Sequence, residues 1–204
     1  MGELEKARSA KLFATPALAH VWADAAELNG LLRDAILAHE QTRPSVELTN
    51  VGGWHSEIGR LEFCGAAGER LLHRMLEMTE EATRRLFADS GREMEPMSWT
   101  LSAWANVNRA GHSNRMHAHP GATWSGVYYV DAGGEAKGSA LYMSDPAPAR
   151  TGAFFPDLAS NVLIRPASGL MVVFPSYLQH GVQPHRGDRP RISIAFNARK
   201  NPFP

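Results

Sequence analysis

Two segments of the sequence carry histidines at positions that could hold a metal ion. His117 and His119 lie two residues apart in the segment 114–120, and His180 follows the apolar run 169–174. In an extended segment, side chains two residues apart lie on the same face, so both imidazoles can be offered to one ion. A residue just past a buried strand lies at the mouth of a β-barrel, which makes His180 the best third ligand. The spacing predicts a metal site made of three histidines.

A second pair of residues could hold an anion. Arg191 and Ser193 open the alternating strand 191–197, and Arg191 follows His180 by eleven residues. Their spacing puts a guanidinium and a hydroxyl on one face, a combination that binds a carboxylate well. Arg191 could instead be a surface cation, but its place at the start of an alternating strand favours an inward contact with an anion.

The remaining histidines need not be ligands. The chain has nine histidines, and an isolated histidine is more often a packing or solvated residue than a metal ligand. On this basis His20, His39, His55 and His73 are interpreted as structural or solvated.

Composition excludes several classes of protein. The chain has 204 residues, 44% apolar and 21% charged, which predicts one globular domain spanning 1–204. Lys plus Arg and Asp plus Glu both number 21, so charge favours neither nucleic acid nor an anionic membrane as a partner. Cys64 is the single cysteine, which excludes a disulfide or a cysteine-based metal cluster within one chain. No run approaches the roughly 18 apolar residues of a membrane span. We therefore expect a cytoplasmic protein; a homodimer is compatible with the sequence.

The first part of the chain, 1–96, is predicted to be mainly helical support. Apolar residues recur every three or four positions from 17 to about 40, with Pro16 at the helix start. The same pattern predicts a second helix over 67–90. Residues 49–65 are rich in turn formers and are predicted to be a loop with a short helix.

The second part, 97–204, is predicted to consist of short strands separated by turns. This spacing is typical of an antiparallel sandwich or barrel, so the fold class is α+β. Residues 132–134 are predicted to form a hairpin turn, and the Pro-rich segment 145–156 a loop that is a candidate lid. The predicted strands are 98–107, 123–130, 138–144, 161–165, 170–174 and 191–197.

Nine short motifs follow one another along nearly the whole chain. They are Leu12-Phe13-x-Thr15-Pro16, Gly52-Gly53-Trp54-x-Ser56, Trp104-x-Asn106, His117-x-His119-Pro120, Ser125-Gly126-Val127-Tyr128-Tyr129-Val130, Asp145-Pro146, Phe174-Pro175-Ser176, His180-x-Val182-x-Pro184 and Arg191-Ile192-Ser193-x-x-Phe196-Asn197. In this order they resemble the uncharacterised family of 2-oxoglutarate–Fe(II) oxygenases related to prolyl hydroxylases. The resemblance implies a double-stranded β-helix, the jelly-roll or cupin-like core, with the N-terminal helices packed on it. It also implies an oxidoreductase that uses Fe(II), 2-oxoglutarate and dioxygen to hydroxylate a small molecule or peptide that the sequence does not identify.

The resemblance also implies a role for each matching residue. The implied metal ligands are His117, His119 and His180. The distal carboxylate of 2-oxoglutarate would be bound by Arg191 and Ser193, joined by Tyr129. Asn106 would lie against the cosubstrate. For Asn106, a strand residue satisfied by the backbone is an equally open interpretation. His112, Asn114 and Arg115 flank the metal loop and are candidates for orienting ligands or touching substrate.

One residue departs from the pattern of the wider superfamily. The usual metal motif is His-x-Asp or His-x-Glu, whereas here the acidic position is His119. Three neutral imidazoles leave a divalent ion with its full charge, which favours an anionic chelate such as 2-oxoglutarate. Three-histidine iron sites also occur in cupin-type enzymes that use no 2-oxoglutarate, and there Arg191 would hold the substrate instead. A third alternative is a jelly-roll binding module whose histidines are incidental.

Overall fold

The computed structural model describes residues 14–134, 138–147 and 161–202. In these ranges the chain forms two α-helices, one 3₁₀-helix and eleven strands. The helices are α1 (Ala25–Thr42), the 3₁₀-helix Glu62–Cys64 and α2 (Gly65–Asp89). The strands are β1 (Leu18–Val21), β2 (Asn50–Val51), β3 (Trp54–His55), β4 (Trp99–Asn108), β5 (Ser113–His117), β6 (Trp124–Asp131), β7 (Leu141–Met143), β8 (Val162–Ile164), β9 (Leu170–Pro175), β10 (His180–Val182) and β11 (Arg191–Lys200).

The strands form two antiparallel sheets. The larger sheet has the order β1-β9-β6-β11-β4-β3, and the smaller has the order β2-β5-β10-β7-β8. Apolar side chains of both sheets share one buried cluster, in which Tyr129 and Val172 of the larger sheet meet Leu141 and Met143 of the smaller. The sheets therefore lie face to face.

The two helices cover the outer face of the larger sheet. Leu28, Leu32 and Ile36 recur at four-residue steps on α1, and Leu71 and Met75 do so on α2. All five are fully buried in one cluster with residues of the larger sheet. Burying each such side chain contributes about 1.5–3 kcal/mol, so the helices stabilise the sheet that carries most of the long strands.

The first predicted helix begins later than the sequence indicates. Residues 18–21 form β1, which pairs with β9 in the register Leu18↔Val173 to Val21↔Leu170. These residues form a strand despite their helical spacing, because the edge of β9 offers hydrogen-bond partners to their backbone. The helix itself continues through Gly30 and ends just before Arg43-Pro44, as the proline predicts.

The second predicted helix and all six predicted strands are confirmed to within a few residues at each end. Three interpretations are corrected. Residues 132–134 do not make a hairpin, because β6 and β7 belong to different sheets. Residues 49–65 contain β2 and β3 besides the short helix, and the strands β5 and β10 were not predicted.

Some of the predictions concern residues that lie outside the described ranges. Most of the candidate lid, from 148 onward, lies outside the described residues, as do Leu12 and Phe13. Among the helices that the structure describes, none is long and apolar enough to cross a membrane.

Candidate active site

Three histidines converge at one end of the smaller sheet. His117 ends β5 and His180 begins β10, and the two residues face each other in the register of these paired strands. A register shift follows His180, an irregularity of the kind that re-aims side chains next to functional sites. His119 lies just beyond β5, where its backbone N–H donates to the carbonyl of Ser176 at 2.9 Å. The potential ligand atoms of the three imidazoles all lie within 4.8 Å of one another.

Backbone carbonyls orient two of these rings. Nδ1 of His117 donates to the carbonyl of Arg115 at 2.7 Å, and Nδ1 of His180 donates to the carbonyl of Leu178 at 2.8 Å. Because a carbonyl can only accept, each Nδ1 carries the proton and each Nε2 keeps its lone pair. This arrangement is typical of histidines that bind a metal through Nε2.

The three imidazoles are held in the neutral form. Burial lowers the pKa of His119 to about 3 and that of His180 to about 4, and it also lowers the pKa of His117. A neutral imidazole is the form that binds a metal. In the part of the chain that the structure describes, no carboxylate joins this group, so the residues fit a divalent cation with three neutral nitrogen ligands.

A cavity of about 240 Å³ extends from these histidines between the two sheets. A row of polar residues crosses the larger sheet along its wall: Ser193 on β11 faces Tyr129 on β6 and Asn106 on β4 in register. All three are buried and line the cavity. Burial raises the pKa of Tyr129 to about 12, so its phenol stays protonated and can donate.

Arg191 lies at the end of the same cavity, two residues before Ser193. It is only 2% exposed, and burial lowers its pKa. One nitrogen, Nη1, donates to the carbonyl of Ser139 at 3.2 Å, whereas Nε has no hydrogen-bond partner among the described residues. A buried cation without a counter-ion is costly, since its lost hydration is not replaced. The site therefore fits a carboxylate ligand.

A buried serine and histidine support the guanidinium, and sequence reasoning missed both. Ser139 adopts a left-handed conformation, with a φ of 62°, and its hydroxyl donates to Nδ1 of His185. Nε2 of His185 donates in turn to the carbonyl of Arg189 at 2.7 Å. These bonds fix the Ser139 carbonyl that accepts from Arg191. The only sequence signal for this left-handed conformation was the position of Ser139 next to Gly138.

The three flanking residues lie in different places. Asn114 lines the cavity, and its side-chain oxygen accepts from Asn108 at 3.4 Å. The Arg115 side chain is exposed and outside the cavity, so this residue orients His117 through its carbonyl and not through its guanidinium. The His112 ring is also outside the cavity lining; its Nδ1 accepts from the backbone of Arg109 at 3.0 Å in the β4–β5 turn.

His55 lies on the cavity wall, although the sequence interpretation treated it as structural or solvated. It is 3% exposed and lines the cavity. Its ring stacks on that of Trp104, with ring centroids 5.8 Å apart and planes inclined by 15°. The Trp104 ring also lies next to that of His119, with centroids 5.5 Å apart. The only sequence signal was its place within the Gly52-Gly53-Trp54-x-Ser56 motif.

Comparison with known proteins shows which family the segment carrying this site is similar to. Residues 102–197 match the model of a family described as "Putative 2OG-Fe(II) oxygenase". This segment contains the three histidines together with Arg191, Ser193, Tyr129 and Asn106. No curated protein matches the chain.

Solved structures share the fold at low sequence identity. A prolyl-4-hydroxylase from Pseudomonas putida aligns with a TM-score of 0.66 and 17% identity over 92% of this chain and 94% of that one. A Trichoplax adhaerens prolyl hydroxylase, solved with a peptide fragment of the hypoxia inducible factor oxygen degradation domain, aligns with a TM-score of 0.58 and 16% identity over 89% and 82%. An oxidoreductase of the 2OG-Fe(II) oxygenase family from Burkholderia pseudomallei aligns with a TM-score of 0.54 and 15% identity over 90% and 84%.

Residues 102–197 are therefore similar to the 2OG-Fe(II) oxygenase family, and the described chain shares the fold of solved oxygenases. These similarities indicate an oxidoreductase of the kind that uses Fe(II), 2-oxoglutarate and dioxygen.

Proposed function

We propose that this protein is a hydroxylase in which His117, His119 and His180 hold Fe(II) and Arg191 binds the distal carboxylate of 2-oxoglutarate. The observation that carries the proposal is the buried guanidinium of Arg191, whose Nε has no hydrogen-bond partner among the described residues, in the same cavity as three converging neutral imidazoles. We also propose that the two facing sheets are the halves of a double-stranded β-helix. Their antiparallel order and the likeness to oxygenase structures support this.

The clamp consists of donors that converge on one carboxylate. Arg191 offers Nε–H and its free guanidinium edge, while Ser193 and Tyr129 offer hydroxyls from paired positions on β11 and β6. Charge-assisted bonds in a water-poor cavity are the strong ones, and a guanidinium matches a carboxylate in two bonds. Asn106, the partner of Ser193 on β4, offers an amide to the rest of the cosubstrate.

The protein's part in the chemistry is to bind, orient and exclude water. When bound, iron supplies the activation of dioxygen and the oxidation that couples loss of carbon dioxide from 2-oxoglutarate to hydroxylation. The Arg115 and Leu178 carbonyls keep two imidazoles in the tautomer that the metal needs. The apolar wall, which includes Phe174, Leu141 and Val127, lowers the local dielectric and strengthens the clamp.

His119 is the one residue that favours a second candidate. A three-imidazole site without a carboxylate also suits an oxygenase that binds its substrate directly and needs no 2-oxoglutarate. The proposed clamp weighs against this candidate, because Arg191, Ser193 and Tyr129 line the same cavity and together suit a carboxylate.

Two measurements on protein purified without an affinity tag test the proposal. Metal analysis should find about one equivalent of iron after anaerobic loading. Calorimetry with Mn(II) in place of iron should then show 2-oxoglutarate binding at least tenfold more tightly than 2-oxopentanoate, which lacks the distal carboxylate. Equal affinities would refute the clamp, and absence of bound metal would refute the metal site.

A further inference from the structure

His55 lines the cavity, and only one of its two ring nitrogens has a hydrogen-bond partner among the described residues. Its Nδ1 lies 2.6 Å from the carbonyl of Ser56, which can only accept, so Nδ1 carries the proton. Burial of the ring lowers the pKa of His55 and so favours its neutral form. Nε2 is therefore a lone-pair acceptor, and no side chain or backbone group in the described ranges donates to it.

His55 is too far from the proposed clamp to serve the cosubstrate carboxylate. In the larger sheet His55 on β3 pairs with Asn106 on β4, which pairs with Ser193 on β11. Two strand spacings separate His55 from Ser193, which is roughly 9–10 Å. Ser193 and Arg191 lie on the other side of Asn106, so His55 is not part of the proposed clamp on the distal carboxylate.

The surroundings of His55 restrict the charge of that molecule. Among the described residues that line the cavity, Arg191 is the only one with a formal charge, and the proposed function assigns it to 2-oxoglutarate. No lysine or carboxylate in this lining is available for a charged group on the substrate.

The cavity rim next to His55 is apolar. Leu48 and Ile58 line this side and are 54% and 53% exposed, while Trp104 forms the wall between His55 and His119. A substrate passing here would bury apolar surface against these side chains. A neutral acceptor within an apolar wall favours a ligand that has a hydrogen-bond donor. Without such a donor, Nε2 of His55 would lose its hydration and gain no hydrogen bond in exchange.

We propose that His55 is a substrate-binding residue, and that the substrate is an uncharged, largely apolar molecule which donates a hydrogen bond from an N–H or O–H group to Nε2. This inference deepens the proposed function and rests on it. The acceptor sets specificity, because a substrate analogue without the donor leaves the lone pair of Nε2 buried and unpaired.

Two pairs of probes of equal shape test the role of His55. Indole and benzofuran differ by an N–H against an oxygen, and phenol and fluorobenzene differ by an O–H against a fluorine. Dissociation constants are measured by ligand-observed NMR on protein loaded with Mn(II) and 2-oxoglutarate, for the wild type and for His55→Phe, His55→Gln and His73→Phe. The exposed His73 on α2 provides the matched control.

For each pair we compare the affinity of the probe that carries a donor with the affinity of the probe that lacks it. We expect this ratio to be about 3- to 10-fold higher in the wild type than in His55→Phe, as one neutral hydrogen bond predicts. His55→Gln, which restores an acceptor oxygen, should recover part of this ratio, and His73→Phe should equal the wild type. The same ratio in the wild type and His55→Phe, or no binding of indole and phenol to the wild type, overturns the inference.

The affinity for 2-oxoglutarate separates this inference from the proposed function. It should stay within twofold of the wild type in every His55 variant, which also shows that the variants are folded. Wild-type protein that fails to bind 2-oxoglutarate refutes the proposed function, whereas protein that binds it but shows no donor preference refutes only the role of His55.

Discussion

The two sheets contribute to the cavity in different ways. The larger sheet supplies the proposed carboxylate clamp from long strands: Ser193 lies in register between Tyr129 and Asn106, just after a register shift between β11 and β6. The smaller sheet supplies His117 and His180 from the ends of short strands, next to a register shift, and His119 lies beyond the strand. The difference therefore lies in strand length: long strands place donors in a row across the sheet, whereas residues at the ends of short strands can converge on one point.

The largest effect should follow from breaking the metal side of this comparison. His119→Ala removes one of three neutral ligands, so the protein should lose most of its bound iron while its circular dichroism stays unchanged. His119→Asp restores the carboxylate found in the wider superfamily and should retain iron. Metal analysis of the three proteins provides the test, and full iron occupancy in His119→Ala would show that His119 is not a ligand.

The next effect should follow from breaking the clamp. Arg191→Ala removes charge-assisted bonds worth roughly 1.5–3 kcal/mol each, so the dissociation constant for 2-oxoglutarate should rise tenfold or more while iron content is nearly unchanged. Arg191→Lys should restore only part of the affinity for 2-oxoglutarate, because an ammonium keeps the charge but cannot form the two parallel hydrogen bonds of a planar guanidinium. Calorimetry with Mn(II) measures both, and an unchanged affinity in Arg191→Ala would favour the enzyme without 2-oxoglutarate.

A smaller effect should follow from loosening the support of the clamp. Ser139→Ala removes the hydroxyl that bonds to His185 and so frees the carbonyl that accepts from Arg191. We expect affinity for 2-oxoglutarate to fall severalfold and affinity for 2-oxopentanoate to stay the same, since only the distal carboxylate meets Arg191. A parallel loss for both 2-oxo acids would mean that Ser139 serves general stability.

The smallest effect concerns pH and the metal-free protein. The folded pKa values of His119 and His180, about 3 and about 4, lie below the ordinary histidine pKa of about 6.5. Below pH 6.5 the unfolded chain therefore binds more protons than the folded chain, and the free energy of unfolding should fall as the pH drops toward 4. Because carboxylates titrate in the same range, the comparison is with His119→Gln, which should lose less stability between pH 7 and pH 5. Equal losses in urea unfolding at these pH values would contradict the neutral state of His119.

The same contrast between sheets explains how much could be predicted from the sequence. The strands β4, β6 and β11 are long and alternate, so their apolar pattern fixed their positions and the shared face of Arg191 and Ser193. The strands β5 and β10 have five and three residues, too few for a periodic pattern, and they exist because each pairs with a neighbour. Their histidines were found through residue type and spacing alone.

Two features of the site and one of the fold could not be predicted from the sequence for the same reason. His55 was set aside because a lone histidine carries no pattern, and only the pairing of β3 with β4 places it on the cavity wall. Ser139 and His185 are 46 residues apart and meet only in the folded chain. Residues 18–21 have helical spacing, but the free edge of β9 makes them a strand.

The most direct test of the whole account is an anaerobic titration of the iron-loaded protein with 2-oxoglutarate, followed by visible absorption. If one cavity holds the metal at the smaller sheet and the carboxylate at the larger, a metal-to-ligand charge-transfer band should grow and saturate near one equivalent. Arg191→Ala should need at least tenfold more 2-oxoglutarate to reach the same absorbance. No band in the wild type, with iron bound, would contradict the account.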